Sequence, residues 1–241
     1  VAMFVGGCVR KFLSNEEVDD IDVATIFSPN ELKKKFNDTD IKIVDTGIEH
    51  GSITVISNEL KIEFTTLRKD LSTDGRHAEI SFTDNWKEDS NRRDFTMNAI
   101  YMDRKGKIFD PQLGVRDLSN KIVKFIGDPN KRIQEDFLRI IRFIRFANQY
   151  SSKIEYQTIN AINLNINGIQ KISKERILNE LLKILNLENF QNIAKNKDLK
   201  KIFYLVFPEF RYLDRLEKNY FKISLKLRPE ILISIMLIDD T

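Results

Sequence analysis

The chain reads as an α+β protein, a mixed α/β first part followed by an all-helical remainder, and three observations lead there. Over roughly the first hundred residues, short apolar runs alternate with turn signals, the pattern of strands and brief helices. From Lys131 onward, Ile and Leu recur at helical spacing and glycines become few. Charge divides near the same place: residues 1–103 carry 13 Lys/Arg against 20 Asp/Glu, whereas residues 104–241 carry 26 against 16. An acidic part followed by a basic one can separate a cation site from a polyanion-binding surface, although ordinary solvated faces give the same balance.

Taken in order, Met3–Val5 reads as a short apolar strand or the start of a turn, and Gly6-Gly7 opens a helix over Cys8–Leu13. A strand is expected over Ile21–Phe27, then a helix over Asn30–Phe36 behind Pro29. Ile41–Val44, Ile53–Ser57 and Leu60–Leu67 read as strands, with turns at Glu49–Gly51 and Ser57-Asn58. Lys69–Ser90 is polar, with Gly75 near its middle, and predicts a mobile loop; Arg93–Met102 is apolar enough for a buried helix. Lys105-Gly106, Asp110-Pro111 and Asp128-Pro129 then punctuate a linking region. Amphipathic helices are expected over Glu135–Asn148, Ile154–Asn165, Lys174–Leu187 and Leu199–Phe207. The sequence has no internal repeat and no run near the roughly 20 apolar residues that cross a bilayer. Its single cysteine, Cys8, excludes an internal disulfide framework and a multi-cysteine zinc site, and a reducing cytoplasm is the simplest setting.

Three clusters carry chemistry. Gly6 and Gly7 let backbone approach a ligand closely and leave amides free for phosphate, with Arg10 about one turn further on as a charged donor; an ordinary tight turn is the alternative. Asp20 and Asp22 alternate with Ile21 and Val23, so both carboxylates fall on one strand face, roughly 6–7 Å apart at Cα. Such a pair can hold one or two Mg²⁺ ions, and without a cation like charges there are unfavourable; a polar strand edge is the bland reading. Glu63, alternating with Ile62 and Phe64, is a candidate third carboxylate or a solvent-facing strand residue. The run from Arg92 and Arg93 through Asp94 and Thr96 can clamp a triphosphate or merely cap a helix. In Glu135–Arg145, Asp136 and Arg139 share a helix face and Arg142 and Arg145 continue a slanting row. The rest of that helix is apolar, so its arginines must meet anions, for which a nucleotide or internal acceptors serve.

Together these segments resemble the tRNA nucleotidyltransferase/poly(A) polymerase family, in the bacterial type of CCA-adding enzyme. The resemblance rests on Gly6-Gly7-Cys8-Val9-Arg10, Asp20-Ile21-Asp22, Arg92 to Ala99, and Glu135-Asp136 with Arg139 and Arg142, in the family's order and at its approximate spacing. It implies a polymerase-β-like nucleotidyltransferase head over 1–103, a helical neck over 104–170 and a helical, RNA-binding body over 171–241. By similarity, Asp20 and Asp22 are metal ligands, and Gly6, Gly7, Arg10, Arg92 and Arg93 face the incoming nucleotide. Asp136 and Arg139 select CTP or ATP by their base edges, with Arg142 and Arg145 completing the pocket. The implied reaction is addition of CCA to tRNA 3′ ends with release of pyrophosphate, with Mg²⁺ as cofactor. A poly(A) polymerase, a CC-only or A-only enzyme, and a catalytically silent RNA-binding relative are the alternatives.

Lys11 departs from the pattern, since the family usually has Asp there. The chain also begins almost at the glycine motif and stops at Thr241, where family members continue, so part of the body is expected to be missing.

Overall fold

Alternation of apolar residues builds the sheet that carries the candidate carboxylates. The computed structural model describes residues 1–37, 39–58, 60–73, 78–218 and 227–237. It divides into two compact units, Val1–Asn120 with Lys124–Gly127, and Lys121–Val123 with Asp128–Thr241. In the first, β1 (Ala2–Val5), α1 (Gly7–Leu13), β2 (Ile21–Thr25) and α2 (Pro29–Phe36) precede β3 (Lys42–Gly47), β4 (Ser52–Ser57) and β5 (Leu60–Thr66). Then come a hairpin of β6 (Arg68–Thr73) and β7 (Ala78–Phe82), α3 (Trp86–Asn91), β8 (Tyr101–Met102), β9 (Ile108–Phe109) and α4 (Gly114–Ser119).

The main sheet has the order β3-β4-β5-β2-β1-β8-β9. Within it β2 is interior, antiparallel to β1 and parallel to β5, so that Asp22 stands in register with Glu63. Phe4 and Met102 pack with Cys8, Val9 and Ile100, whereas their chain neighbours Val5 and Tyr101 pack with Ala24, Leu67 and Trp86. Successive side chains point to opposite faces of a strand, so the two clusters cover the two faces of the sheet. Ser28 and Glu31 form a reciprocal capping box at the start of α2, which lays Leu32 against Ile53 and Val55.

Some sequence expectations change here. Arg93–Met102 is not a helix. Phe95 is extended and bridges Phe125, a single 3₁₀ turn covers Thr96–Asn98, and Tyr101 joins the sheet opposite Val5. Thr96 donates its N–H to the Lys124 carbonyl and Ile126 donates to that of Asp94, so these backbone groups are satisfied across the chain. Lys69–Ser90 is largely ordered as the β6–β7 hairpin and α3, while residues 74–77, including Gly75, lie outside the described residues. The first unit also runs past Asp103, because β8 pairs with β9 and α4 packs on the 3₁₀ turn. A side chain at Gly114 would lie well inside contact distance of the Thr96 carbonyl.

The second unit's regular elements among its described residues are helices, beside one isolated bridge between Ile122 and Lys153: α5 (Pro129–Glu135), α6 (Leu138–Gln149), α7 (Tyr156–Asn165), α8 (Lys174–Leu185), α9 (Asn192–Lys195), α10 (Lys197–Val206), α11 (Arg215–Lys218) and α12 (Pro229–Leu237). Asp128 caps α5 ahead of Pro129, and Ser173 caps α8. The helix expected over Glu135–Asn148 is therefore two, broken where Asp136 adopts φ −154°, ψ 107°. Ile140, Ile141, Phe143 and Ile144 of α6 are fully buried, as are Ile184 and Phe203, each contributing roughly 1.5–3 kcal/mol of apolar burial. Among the described residues no helix is long and apolar enough to cross a membrane.

Candidate active site

Asp20 lies exposed just before β2, and Asp22 sits half-buried within it. Burial pushes the Asp22 carboxyl above its ordinary range; the Arg93 and Arg10 charges pull it back and that of Asp20 pushes it further. Glu63, its register partner on β5, is likewise raised by burial and by the Asp22 charge. Among the described residues no three His, Cys, Asp or Glu side chains gather into a group that could hold a metal ion, while Glu63 lies close enough to Asp22 and Asp20 to feel both charges.

Gly6 and Gly7 bring α1 up to this point. Gly6 has φ +73°, a left-handed conformation that a side chain would strain. A Cβ there would lie 3.7 Å from Arg93 Nη1 and 3.9 Å from Asp22 Oδ2, which puts the glycine turn, the arginine and the carboxylate in one place. Arg10, buried on α1, donates to Asn98 Oδ1; the Asn98 amide in turn donates to Asp94 at 2.9 Å. Lys11, the departure from the family pattern, pairs with Asp19, whose Oδ1 also accepts the Asp20 N–H at 2.9 Å.

The adjacent arginines are gathered by a residue that the sequence reading missed. Asp89, on α3, is completely buried. Its Oδ1 accepts from Arg92 Nε at 2.8 Å, and its Oδ2 accepts from Arg93 Nη2 at 3.0 Å and from the Tyr101 hydroxyl at 2.7 Å. Arg93 Nε donates to the same Tyr101 oxygen at 3.2 Å. Burial alone would raise the Asp89 carboxyl, but the Arg93 and Arg92 charges and the Tyr101 hydrogen bond bring it down to about 2. Burial likewise keeps the Tyr101 hydroxyl protonated well above its ordinary range.

In the second unit, Asp136 lies in the break between α5 and α6. Its Oδ1 accepts the Leu138 N–H at 3.1 Å, and its Oδ2 accepts from Arg176 Nη2 of α8 at 2.8 Å. Arg139 Nη1 donates to Glu135 Oε2 and to the Arg132 carbonyl, both at 2.6 Å. Arg145 Nε donates to Glu180 Oε2 at 2.9 Å, with Arg142 3.7 Å from the other oxygen of that carboxylate, and Arg145 stacks on Phe146. The arginines of α6 thus meet carboxylates of the protein itself. Glu180 is buried, yet its carboxyl is held below the ordinary range by Arg145, Arg142 and Lys183 against the cost of burial. Glu135 stands within the Glu135–Arg145 motif, and its pairing with Arg139 is the local ion pair that the spacing allows, whereas Arg176 and Glu180 lie outside the segments that the sequence singles out for chemistry. The spacing of Arg176 and Glu180, four apart on one helix face, was the signal available.

Residues 2–124 match the poly A polymerase head domain, and residues 153–213 match a domain described as the probable RNA and SrmB-binding site of polymerase A. The chain belongs to the tRNA nucleotidyltransferase/poly(A) polymerase family. Its first unit is the family's polymerase-β-like head. Within the family, it is 44% identical over 184 residues to human mitochondrial CCA tRNA nucleotidyltransferase 1, a match covering 75% of this chain and 42% of the relative. The fold is similar to that of the Bacillus stearothermophilus CCA-adding enzyme in complex with CTP, with TM-score 0.73 and 28% identity over 97% of this chain and 64% of the other. A tRNA nucleotidyltransferase complexed with a primer tRNA and an incoming ATP analogue superposes with TM-score 0.71 and 27% identity, over 90% of this chain and 62% of that one. The chain spans less than half the length of the human relative.

Proposed function

We propose that this chain carries the catalytic part of a template-independent RNA nucleotidyltransferase that adds CCA to tRNA 3′ ends from CTP and ATP. The observation that carries the reading is the convergence of Asp22, Arg93 and the Gly6 turn, a carboxylate and a guanidinium facing backbone that has no side chain in the way. Asp20 and Asp22 would hold Mg²⁺. The donors are hard oxygens, and both Asp22 and Glu63 have ionisation held back by burial and by neighbouring carboxylates, a penalty that a bound cation relieves. Mg²⁺ takes one or two protein carboxylates and completes its shell with phosphates and water, so a two-aspartate set fits it without Glu63. When bound, the metal supplies Lewis-acid activation of the attacking hydroxyl and charge neutralisation at the phosphates.

The chain's own residues supply the positioning. Gly6 and Gly7 leave room for the triphosphate, Arg10, Arg92 and Arg93 offer it charged donors, and the RNA 3′-hydroxyl attacks the α-phosphate in line, releasing pyrophosphate. In the second unit Asp136 can accept and Arg139 can donate at a base edge, with Arg142 and Arg145 completing that pocket. The basic helical part would hold the tRNA acceptor arm through phosphate and shape. The reading includes a cytoplasmic setting, which suits the one buried free thiol, Cys8.

The test is incorporation by the full chain into tRNA transcripts ending before CCA, after C and after CC, with Mg²⁺ and CTP, ATP or both. Addition of C, C and A that then stops is the expected result. Only C, only A or a long A tail would replace the reading with the corresponding relative. Transcript binding without incorporation would replace it with a silent RNA-binding module.

A further inference from the structure

Asp89, completely buried in the first unit, has no part in the reading above. Adjacent residues on a chain ordinarily project apart, yet Asp89 gathers Arg92 on one carboxylate oxygen and Arg93 on the other. Helical geometry makes this possible, because Asp89 lies three and four residues before the two arginines at the end of α3. Tyr101 closes the arrangement: its hydroxyl accepts from Arg93 Nε and donates to Asp89 Oδ2, and its ring is clamped edge-on by Trp86 in the core. Arg93 Nε is shared between the Tyr101 hydroxyl and Asp89 Oδ2, each at 3.2 Å, and Nη2 donates to Asp89, so the planar guanidinium has one orientation, in which Nη1 lies beside the Gly6 turn with Asp22 Oδ2 nearby.

We propose that Asp89 and Tyr101 are positioning residues that lock the Arg93 guanidinium in the orientation that receives the triphosphate of the incoming nucleotide. The assignment rests on the nucleotidyltransferase reading for the identity of its ligand. Neither residue touches substrate. Both act by removing the rotational freedom that a long arginine side chain would otherwise lose on binding. Tyr101→Phe is the informative variant, since it deletes one hydroxyl and leaves the ring packing in place.

The test is a double-mutant cycle on the full chain with Tyr101→Phe, Arg93→Lys and the double variant. Three quantities are read: KM for ATP on a transcript ending in CC, KM for that transcript, and Tm. Tyr101→Phe is expected to raise KM for ATP roughly ten- to a hundredfold, the worth of a hydrogen bond to a charged group, and to leave KM for RNA unchanged. In the Arg93→Lys background the same change should have little further effect, because the residue through which it acts is gone. Effects that multiply, or a fall in Tm with KM for ATP unmoved, would overturn the assignment. Equilibrium binding of Mg·ATP and of inorganic tripolyphosphate to the same variants separates this proposal from the reading beneath it. If the unaltered chain binds either probe but incorporates nothing, the enzymatic reading fails, and positioning is decided by whether Tyr101→Phe weakens that binding. Absence of binding to both probes by the unaltered chain would overturn the positioning role as well.

Discussion

Arg176 donates to Asp136 at 2.8 Å, while Arg139, one helical turn beyond Asp136, donates instead to Glu135 at 2.6 Å. The two groups proposed to read a base edge are thus each held by a different partner within the protein. Helix α8 complements the Asp136 break and the helix that follows it: its Arg176 meets Asp136, and its Glu180, four residues on, meets Arg142 and Arg145. A base reaching Asp136 would share its carboxylate with Arg176, so the choice between CTP and ATP should depend on α8 as well as on α6.

Arg176→Met keeps the length of the side chain and removes its charge. The ratio of kcat/KM for CTP to that for ATP is expected to shift by about tenfold, the worth of one charge-assisted hydrogen bond. Arg139→Ala should shift the same ratio at least as far. Nucleotide competition on transcripts ending before CCA and after CC measures both, and an unchanged ratio in Arg139→Ala would remove the base-reading role.

Asp22→Ala is expected to lower incorporation by about a thousandfold or more while RNA affinity changes little. Single-turnover assays and filter binding on the same preparation make the comparison. Parallel loss of RNA binding would mean that the carboxylate holds the sheet together rather than serving the reaction.

Mg²⁺ should also raise Tm at neutral pH, because it binds the folded carboxylates and relieves their repulsion. Differential scanning fluorimetry with and without chelator reads this, and Asp22→Asn should abolish the increment. An equal increment in that variant would place the cation elsewhere.

Acid should loosen the protein in a defined window. The folded-state carboxyl of Asp89, at about 2, lies below its ordinary 3.8, so its contribution, about 2 kcal/mol, is present above roughly pH 4 and lost as pH falls towards 2. Glu180 is shifted the same way and contributes stability above its ordinary 4.5. The difference in urea midpoint between the unaltered chain and Glu180→Gln should therefore narrow as pH is taken from about 6 to about 3. A difference that stays constant would show that the charge of Glu180 is not what stabilises.

Gly114→Ala should destabilise the first unit by about 1–3 kcal/mol or more, because the added methyl meets a backbone carbonyl that cannot swing away. Thermal melts check it; a Tm within a degree or so of the parent would mean that α4 shifts at no cost.

Much of this was legible in the sequence, for a physical reason. Ile21 and Val23 alternate with Asp22, and the period of two placed β2 where it lies. Where burial is complete on every side the period vanishes, and so Phe95–Tyr101, buried throughout, reads as a helix although Thr96 and Ile100 bond across the chain to Lys124 and Gly6. The break at Asp136 was invisible for the opposite reason. Phe137 returns at once to helical angles, φ −63° and ψ −19°, so the apolar spacing carries through a single departing residue. Asp89 escaped because an acid three or four residues before an arginine is the commonest of surface pairings. Only its burial distinguishes it.

The pairing of Lys11 with Asp19 makes the charge at each position matter to the other. Asp19 also receives the backbone N–H of Asp20, so the charge at position 11 reaches the loop that presents a candidate metal ligand. The family's usual Asp at position 11 would face the Asp19 carboxylate with like charge, so that Lys11→Asp alone is unfavourable where a joint change at both positions is not. Substitutions at positions 11 and 19 are therefore expected to be non-additive, each one's effect depending on the charge that its neighbour carries.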